Sequence, residues 1–158
     1  MIRYCICFMI KGQEVLMLNR NKSPNKGLWN GVGGKLEPGE SPEQSVIREV
    51  EEETGYCIAS PRYGGIVRWE VNGKEVGGMH VFFIYLTEKN GNPTPVKMDE
   101  GILDWKELAW VLDEDNQGAV SNIRYFLPEM LENEDPCDFL CIYRDGRLER
   151  VKEMGLTR

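Results

Sequence analysis

A mixed β-sheet sandwiched between α-helices, an α/β arrangement, is the fold this sequence predicts. Three observations lead there. Short apolar runs recur along the chain between turn residues. Several of them pair across turns tight enough for hairpins. Few segments carry helical periodicity, and one of these, Pro42–Thr54, is marked at both ends.

The elements follow in order. Tyr4–Ile10 reads as a buried strand that turns at Lys11-Gly12-Gln13 and returns as Val15–Leu18. Asn21–Gly27 is a polar loop with Pro24 and Gly27, and Leu28–Gly34 is glycine-rich, with backbone able to approach a ligand. A turn at Pro38-Gly39 precedes the marked helix. Ser41 is its N-cap, Pro42 suits the first helical position, and Gln44 completes a capping box. Val46, Ile47 and Val50 make its apolar stripe, and Gly55 stops it. Tyr63–Val71 and Met79–Thr87 read as long strands around the turn Asn72-Gly73-Lys74. Asn90–Pro95 is a loop, Leu103–Trp105 a short strand and Glu107–Leu112 a short helix. Ala119–Leu131 has a helical pattern with Ile123, Phe126, Leu127 and Met130 inward. Asp138–Tyr143, the turn Arg144-Asp145-Gly146 and Arg147–Val151 form a last hairpin. No repeat or linker interrupts residues 1–158, so one domain is expected.

The net charge of −7 argues against sequence-independent binding of duplex nucleic acid, which needs a basic footprint. A small nucleotide remains compatible, because a cation can bridge its phosphates to carboxylates. Tyr4–Ile10 is too short to span a bilayer and lacks the layout of a secretory signal. No membrane association and a cytoplasmic location are expected. Five cysteines, an odd number, suit buried free thiols in a reducing compartment.

The charges of Pro42–Thr54 run against local physics. Glu49, Glu51, Glu52 and Glu53 crowd the C-terminal half, where the helix dipole is already negative. Glu49 faces Glu52 and Glu53 at three- and four-residue spacing, each pair unfavourable by roughly 0.2–0.5 kcal/mol. Glu49, Glu52 and Glu53 fall within an arc of about 100°, away from the apolar stripe, while Glu51 points elsewhere. Three carboxylates on one edge suit a hard divalent cation, Mg²⁺ or Mn²⁺. A solvated acidic face is the alternative, and for a bare run of this kind the commoner one.

The surroundings change that balance. Gly34, Glu40, Arg48, Glu49, Val50, Glu52, Glu53 and Gly55 stand at the spacing of the Nudix box, G-x5-E-x7-R-E-U-x-E-E-x-G-U, with U a bulky apolar residue. Tyr56 takes the last position in place of the usual aliphatic. The chain therefore resembles the Nudix hydrolases, and the resemblance implies their fold and their attack of water on phosphorus in a nucleoside diphosphate-linked compound. It implies Glu49 and Glu53 as principal metal ligands, with Glu52 as a further ligand or water-activating group. Arg48 would orient carboxylates, with Glu40 as its partner, and the backbone carbonyl of Gly33 would also bind metal. The proton-accepting carboxylate stays open between Glu52, Glu53 and Glu100.

Leu28-Trp29-Asn30-Gly31-Val32-Gly33-Gly34-Lys35 is similar to a segment of the MutT/MutX group and its animal relatives, diphosphatases of oxidised purine nucleoside triphosphates such as 8-oxo-dGTP. His80-Val81-Phe82, Asp99-Glu100 before Trp105, and the terminal hairpin extend the similarity. By that resemblance Glu100 is a metal ligand or base from outside the box, Asn30 hydrogen-bonds the purine, and Lys35 lies near the triphosphate. Asn122 falls near an Asn or Asp that reads the base edge, a task suited to an amide with both donor and acceptor; the alternative is an amide on a helix surface. Trp29 is a candidate to stack on the base, whereas Trp69, Trp105 and Trp110 are expected in the core and His80 is expected to be structural. Two other functions remain in view: a Nudix diphosphatase of ordinary nucleotides, sugar nucleotides or capped RNA, and a non-catalytic nucleotide-binding module. The oligomeric state is left open.

Overall fold

A computed structural model describes residues 2–89 and 93–155; within the expected Asn90–Pro95 loop, residues 90–92 lie outside the described residues. The strands are β1 (Tyr4–Lys11), β2 (Glu14–Arg20), β3 (Trp29–Asn30), β4 (Val32–Lys35), β5 (Arg62–Val71), β6 (Lys74–Tyr85), β7 (Val96–Met98), β8 (Gly101–Glu107), β9 (Cys137–Arg144) and β10 (Arg147–Glu153). The helices are α1 (Pro42–Thr54), α2 (Leu108–Val111) and α3 (Ile123–Glu132). The sheet runs β10-β9-β5-β6-β1-β2-β8-β7, with β3 added to β2 and β4 to β1. It is mixed: β1 with β6 and β5 with β9 are parallel, and the other strand pairs antiparallel.

Alternation along the strands sorts side chains to two faces. Cys5, Cys7 and Met9 of β1 point toward α1 and join Leu16, Leu18, Val32, Val46, Val50, Phe82 and Leu103. Ile6, Phe8 and Ile10 point the other way and pack with Val15, Met17, Val81, Phe83 and the inward residues of α3, Ile123, Phe126, Leu127 and Met130. One helix therefore covers each face of the sheet. Strand β1 forks: its start, Tyr4–Cys7, pairs with β4, and its end, Met9–Lys11, pairs with β2. The fork places the glycine-rich β4 directly beside α1.

Several elements differ from the sequence expectation. β3, β4 and β7 have two to four residues, too short for a recognisable alternation, and exist because neighbouring strands pair with them. β6 begins at Lys74 and not Met79, because Gly77-Gly78 hides its pattern. Trp69 packs over that gap, and a Cβ on Gly77 would lie 2.9 Å from its indole nitrogen. α3 begins at Ile123, not Ala119: the backbone there is extended, and Ala119 forms a parallel bridge with Trp29. Among the described residues, no helix is long and apolar enough to cross a membrane. The described cysteines are free thiols, but Cys57 is exposed, which corrects the expectation that all are buried; it follows α1, outside both cores.

Candidate metal and nucleotide site

Helix α1 forms as its sequence dictates. The Gln44 N–H donates to Ser41 Oγ at 3.1 Å, and the Ser41 N–H donates to Gln44 Oε1 at 2.9 Å. Gly55 closes the helix at φ 79°, a left-handed conformation that favours glycine. Val46 and Val50 are fully buried and Ile47 half-buried, which sets the rotation of the helix and hence where each glutamate points.

That rotation separates the glutamates. Glu53 is 9% exposed, and its Oε2 is buried with no hydrogen-bond partner among the described residues. Burial, then the charge of Glu49 and a hydrogen bond with it, then the charge of Glu100, push the Glu53 carboxyl up to about 9, with Arg20 acting in opposition. Glu49 packs against β4, where a Cβ on Gly34 would stand 2.6 Å from its Oε1; glycine leaves room for the carboxylate at the strand backbone. Gly33 precedes it in β4, paired with Ile6. The Glu52 side chain is 58% exposed and Glu51 faces solvent.

Arg48 ties this edge together. Its Nε and Nη2 donate to both oxygens of Glu40, at 2.7 and 3.0 Å, a bidentate pair. Its Nη1 donates to Glu49 at 3.0 Å and Glu52 at 3.3 Å, and Nη2 also reaches the Lys35 carbonyl at 3.4 Å. The hydrogen bond from Arg48, with that of the Glu37 N–H, holds the Glu40 carboxyl down at about 2. Lys35 itself is exposed.

Glu100 comes from the turn before β8. Asn21 grips that turn, its N–H donating to the Glu100 carbonyl at 3.1 Å and its Nδ2 to the Asp99 carbonyl at 3.0 Å. Gly101 has φ 150°, and a Cβ there would collide with the Asn19 carbonyl at 1.8 Å, so only glycine lets the turn lie this close to β2. Arg20 ends β2 and was missed in the sequence; a strand-end arginine carries no local signal, and only the fold sets it toward Glu53.

Among the described residues, no group of three His, Cys, Asp or Glu side chains is already gathered as a closed metal site. The oxygen donors nonetheless fit a hard divalent cation. Glu49 and Glu100 each repel a charge on Glu53, and the unpartnered buried oxygen of Glu53 is what such a cation would satisfy.

The other residues expected to hold the substrate lie in β3 and in the strap that pairs with it. The Asn30 Oδ1 accepts from the Gly31 N–H at 2.9 Å. Trp29 pairs with a backbone strap: its N–H donates to the Gly118 carbonyl at 2.8 Å and its carbonyl accepts from the Val120 N–H at 3.0 Å. The Lys106 ammonium sits 4.3 Å from the centroid of the Trp29 ring, so one face of that indole is already covered. Trp110 is 39% exposed, contrary to a core role, because four-residue α2 lies at the edge; Trp69 and Trp105 do pack against the cores. His80 bonds to the Tyr63 hydroxyl at 2.8 Å. Asn122 is 5% exposed at the N-cap of α3, which overturns the helix-surface alternative. The strap that pairs with Trp29 runs into Asn122, at the start of α3.

Comparison with known proteins agrees with this architecture. The model of the NUDIX domain matches residues 2–131. The uncharacterised Nudix hydrolase YvcI of Bacillus subtilis is 31% identical over 103 residues, 65% of this chain, and the chain spans 63% of that relative's length. An oxidised purine nucleoside triphosphate hydrolase of Mus musculus is 27% identical over 135 residues, covering 85% of this chain and 82% of the relative. A crystal structure of a mutator MutT protein from Bacillus halodurans superposes with a TM-score of 0.76 at 27% identity, covering 98% of each chain.

Proposed function

The chain belongs to the NUDIX domain family and has its fold, and on that premise we propose that it is a divalent-metal-dependent hydrolase. It converts a nucleoside triphosphate to the monophosphate and diphosphate, with oxidised purine nucleotides such as 8-oxo-dGTP as the preferred class. The observation that carries the hydrolase reading is the buried, unpartnered oxygen of Glu53 beside the charges of Glu49 and Glu100. A helix without a cation to hold has no use for that repulsion.

Glu49, Glu53 and Glu100 would hold the cation, Mg²⁺ or Mn²⁺, with the Gly33 carbonyl and Glu52 as further donors. A cation bound there would offset charge on the phosphate oxygens and lower the pKa of the attacking water. Arg48 keeps Glu49 in place and is itself held by Glu40. Glu52, Glu53 or Glu100 receives the proton of the water. Lys35 attracts the triphosphate, Asn30 and Asn122 read the purine edge, and Trp29 offers the base its remaining face. The name of the mouse relative supports the substrate class.

The test is diphosphate release from 8-oxo-dGTP, dGTP, dATP and ADP-ribose with Mg²⁺, Mn²⁺ or chelator, for the parent and Glu53→Gln. Metal-dependent turnover with 8-oxo-dGTP ahead is the expected result. Equal rates on 8-oxo-dGTP and dGTP would remove the preference for oxidised purines, and no turnover of any nucleotide would remove the hydrolase.

A further inference from the structure

The loop between β2 and β3, residues 21–27, brings two lysines to the acidic edge of the site in a chain of net charge −7. Hydrogen bonds close its foot. The Gly27 N–H donates to the Arg20 carbonyl at 2.7 Å, the Arg20 N–H to the Leu28 carbonyl at 3.2 Å, and Asn19 Nδ2 to the Gly27 carbonyl at 3.0 Å. Within the loop, Arg20 Nε donates to the Pro24 carbonyl at 2.9 Å and the Leu28 N–H to the Asn25 carbonyl at 3.0 Å. Asn25 has φ 64°, a left-handed conformation that asparagine tolerates. The first residue of the loop, Asn21, is the one that grips the Asp99-Glu100 turn. Lys22 follows Asn21 directly, one Cα step of about 3.8 Å from it. Lys26 precedes Gly27, which bonds to Arg20, the sheet partner of Gly101. Both lysines therefore stand close along the backbone to Glu100.

Lys22 and Lys26 are exposed, and among the described residues neither makes an ion pair, although Asp99 and Glu100 lie in the adjoining turn. Arg48, in contrast, is engaged by Glu40, Glu49 and Glu52. A cation among Glu49, Glu53 and Glu100 would be offset largely by those carboxylates, so a chain of phosphates bound to it still needs positive charge from the protein. Lysine supplies that charge as a compact ammonium on a flexible stem. We infer that Lys22 and Lys26 bind the terminal phosphates of the substrate, so that the loop selects a nucleoside triphosphate over a nucleoside monophosphate. This rests on the nucleotide reading of the site proposed above and does not depend on turnover.

The test is calorimetric titration in Mg²⁺ with dGMP and with a dGTP analogue whose α,β-bridge is a methylene group and resists cleavage. The parent is expected to bind the analogue more tightly than dGMP by about tenfold or more. With Lys22→Gln and Lys26→Gln together, affinity for the analogue should fall about tenfold and affinity for dGMP by less than about twofold. Lys22→Arg with Lys26→Arg keeps both charges and should hold the analogue within about twofold of the parent. Raising NaCl from about 0.05 M to about 0.5 M should weaken the analogue more in the parent than in the glutamine pair. Melting temperatures are measured for all three proteins. The inference is overturned if the parent binds the analogue no better than dGMP, or binds neither. It is also overturned if the glutamine pair keeps the parent's affinity for the analogue or weakens both nucleotides in proportion, or if the arginine pair loses as much as the glutamine pair. If the parent prefers the analogue through these lysines but hydrolyses no triphosphate, the proposed activity fails and the role of the loop stands.

Discussion

Replacing Glu53 with glutamine should make the metal-free protein more stable while it abolishes activity. The Glu53 carboxyl lies near 9 in the folded chain against an ordinary value of 4.5, and burial is the largest cause. A carboxyl raised on folding binds its proton more tightly in the folded state, so its contribution is fully present below pH 4.5 and is lost as pH rises toward 9. Each pH step between those limits costs about 1.4 kcal/mol, so by pH 7 the metal-free protein has given up roughly 3 kcal/mol at this side chain. Glutamine has nearly the same shape and no charge to desolvate. Urea denaturation of the parent and Glu53→Gln in chelator, between pH 5 and 8, should show the parent weakening with pH and the variant changing far less. At pH 7 the variant should be more stable by about 2–3 kcal/mol. Mg²⁺ should stabilise the parent and hardly affect the variant, whose diphosphate release should fall by ~10²–10⁴-fold. Parallel pH curves for the two proteins in chelator would refute the reasoning, since the charge on Glu53 would then cost nothing.

Other variants probe the supports of the site. Gly34→Ala sets a Cβ 2.6 Å from Glu49 Oε1; it should raise the Mg²⁺ concentration needed for half-maximal diphosphate release by ~10–100-fold, as for a disturbed metal ligand. Glu40→Gln removes a carboxylate held down at about 2 by Arg48. Its cost should be ~0.5–1 kcal/mol at pH 7 and should vanish in thermal melts as pH falls through about 2, because a depressed carboxyl stabilises only while ionised. Ser41→Ala breaks the capping box and should cost about 1 kcal/mol in urea denaturation.

Much of the fold was legible where a local rule could act alone. The hairpins at Gly12 and Gly146 have turn glycines at positive φ, and the inward residues of α3 follow helical spacing. The elements that escaped, β3, β4 and β7, have no pattern of their own and are strands by virtue of their partners. Asn122 was ambiguous for a related reason. The same helical pattern fits a start at Ala119 or at Ile123, and only the pairing of the strap with Trp29 settles that the residue is buried at a helix end.

Helix α1 shows the division within one element. Its sequence alone determined where it starts and stops, which stripe faces the core, and that three glutamates share an edge, because caps and periodicity are local. Tertiary structure decided how those glutamates differ. Glu52 remains in water while Glu53 is buried, because the packing of Val46 and Val50 sets the rotation of the helix. Glu100 and Arg20 reach Glu53 from distant parts of the chain, through a turn that Gly101 allows against β2. A charge becomes costly when water is removed and like charges approach, and both depend on what the rest of the chain brings near.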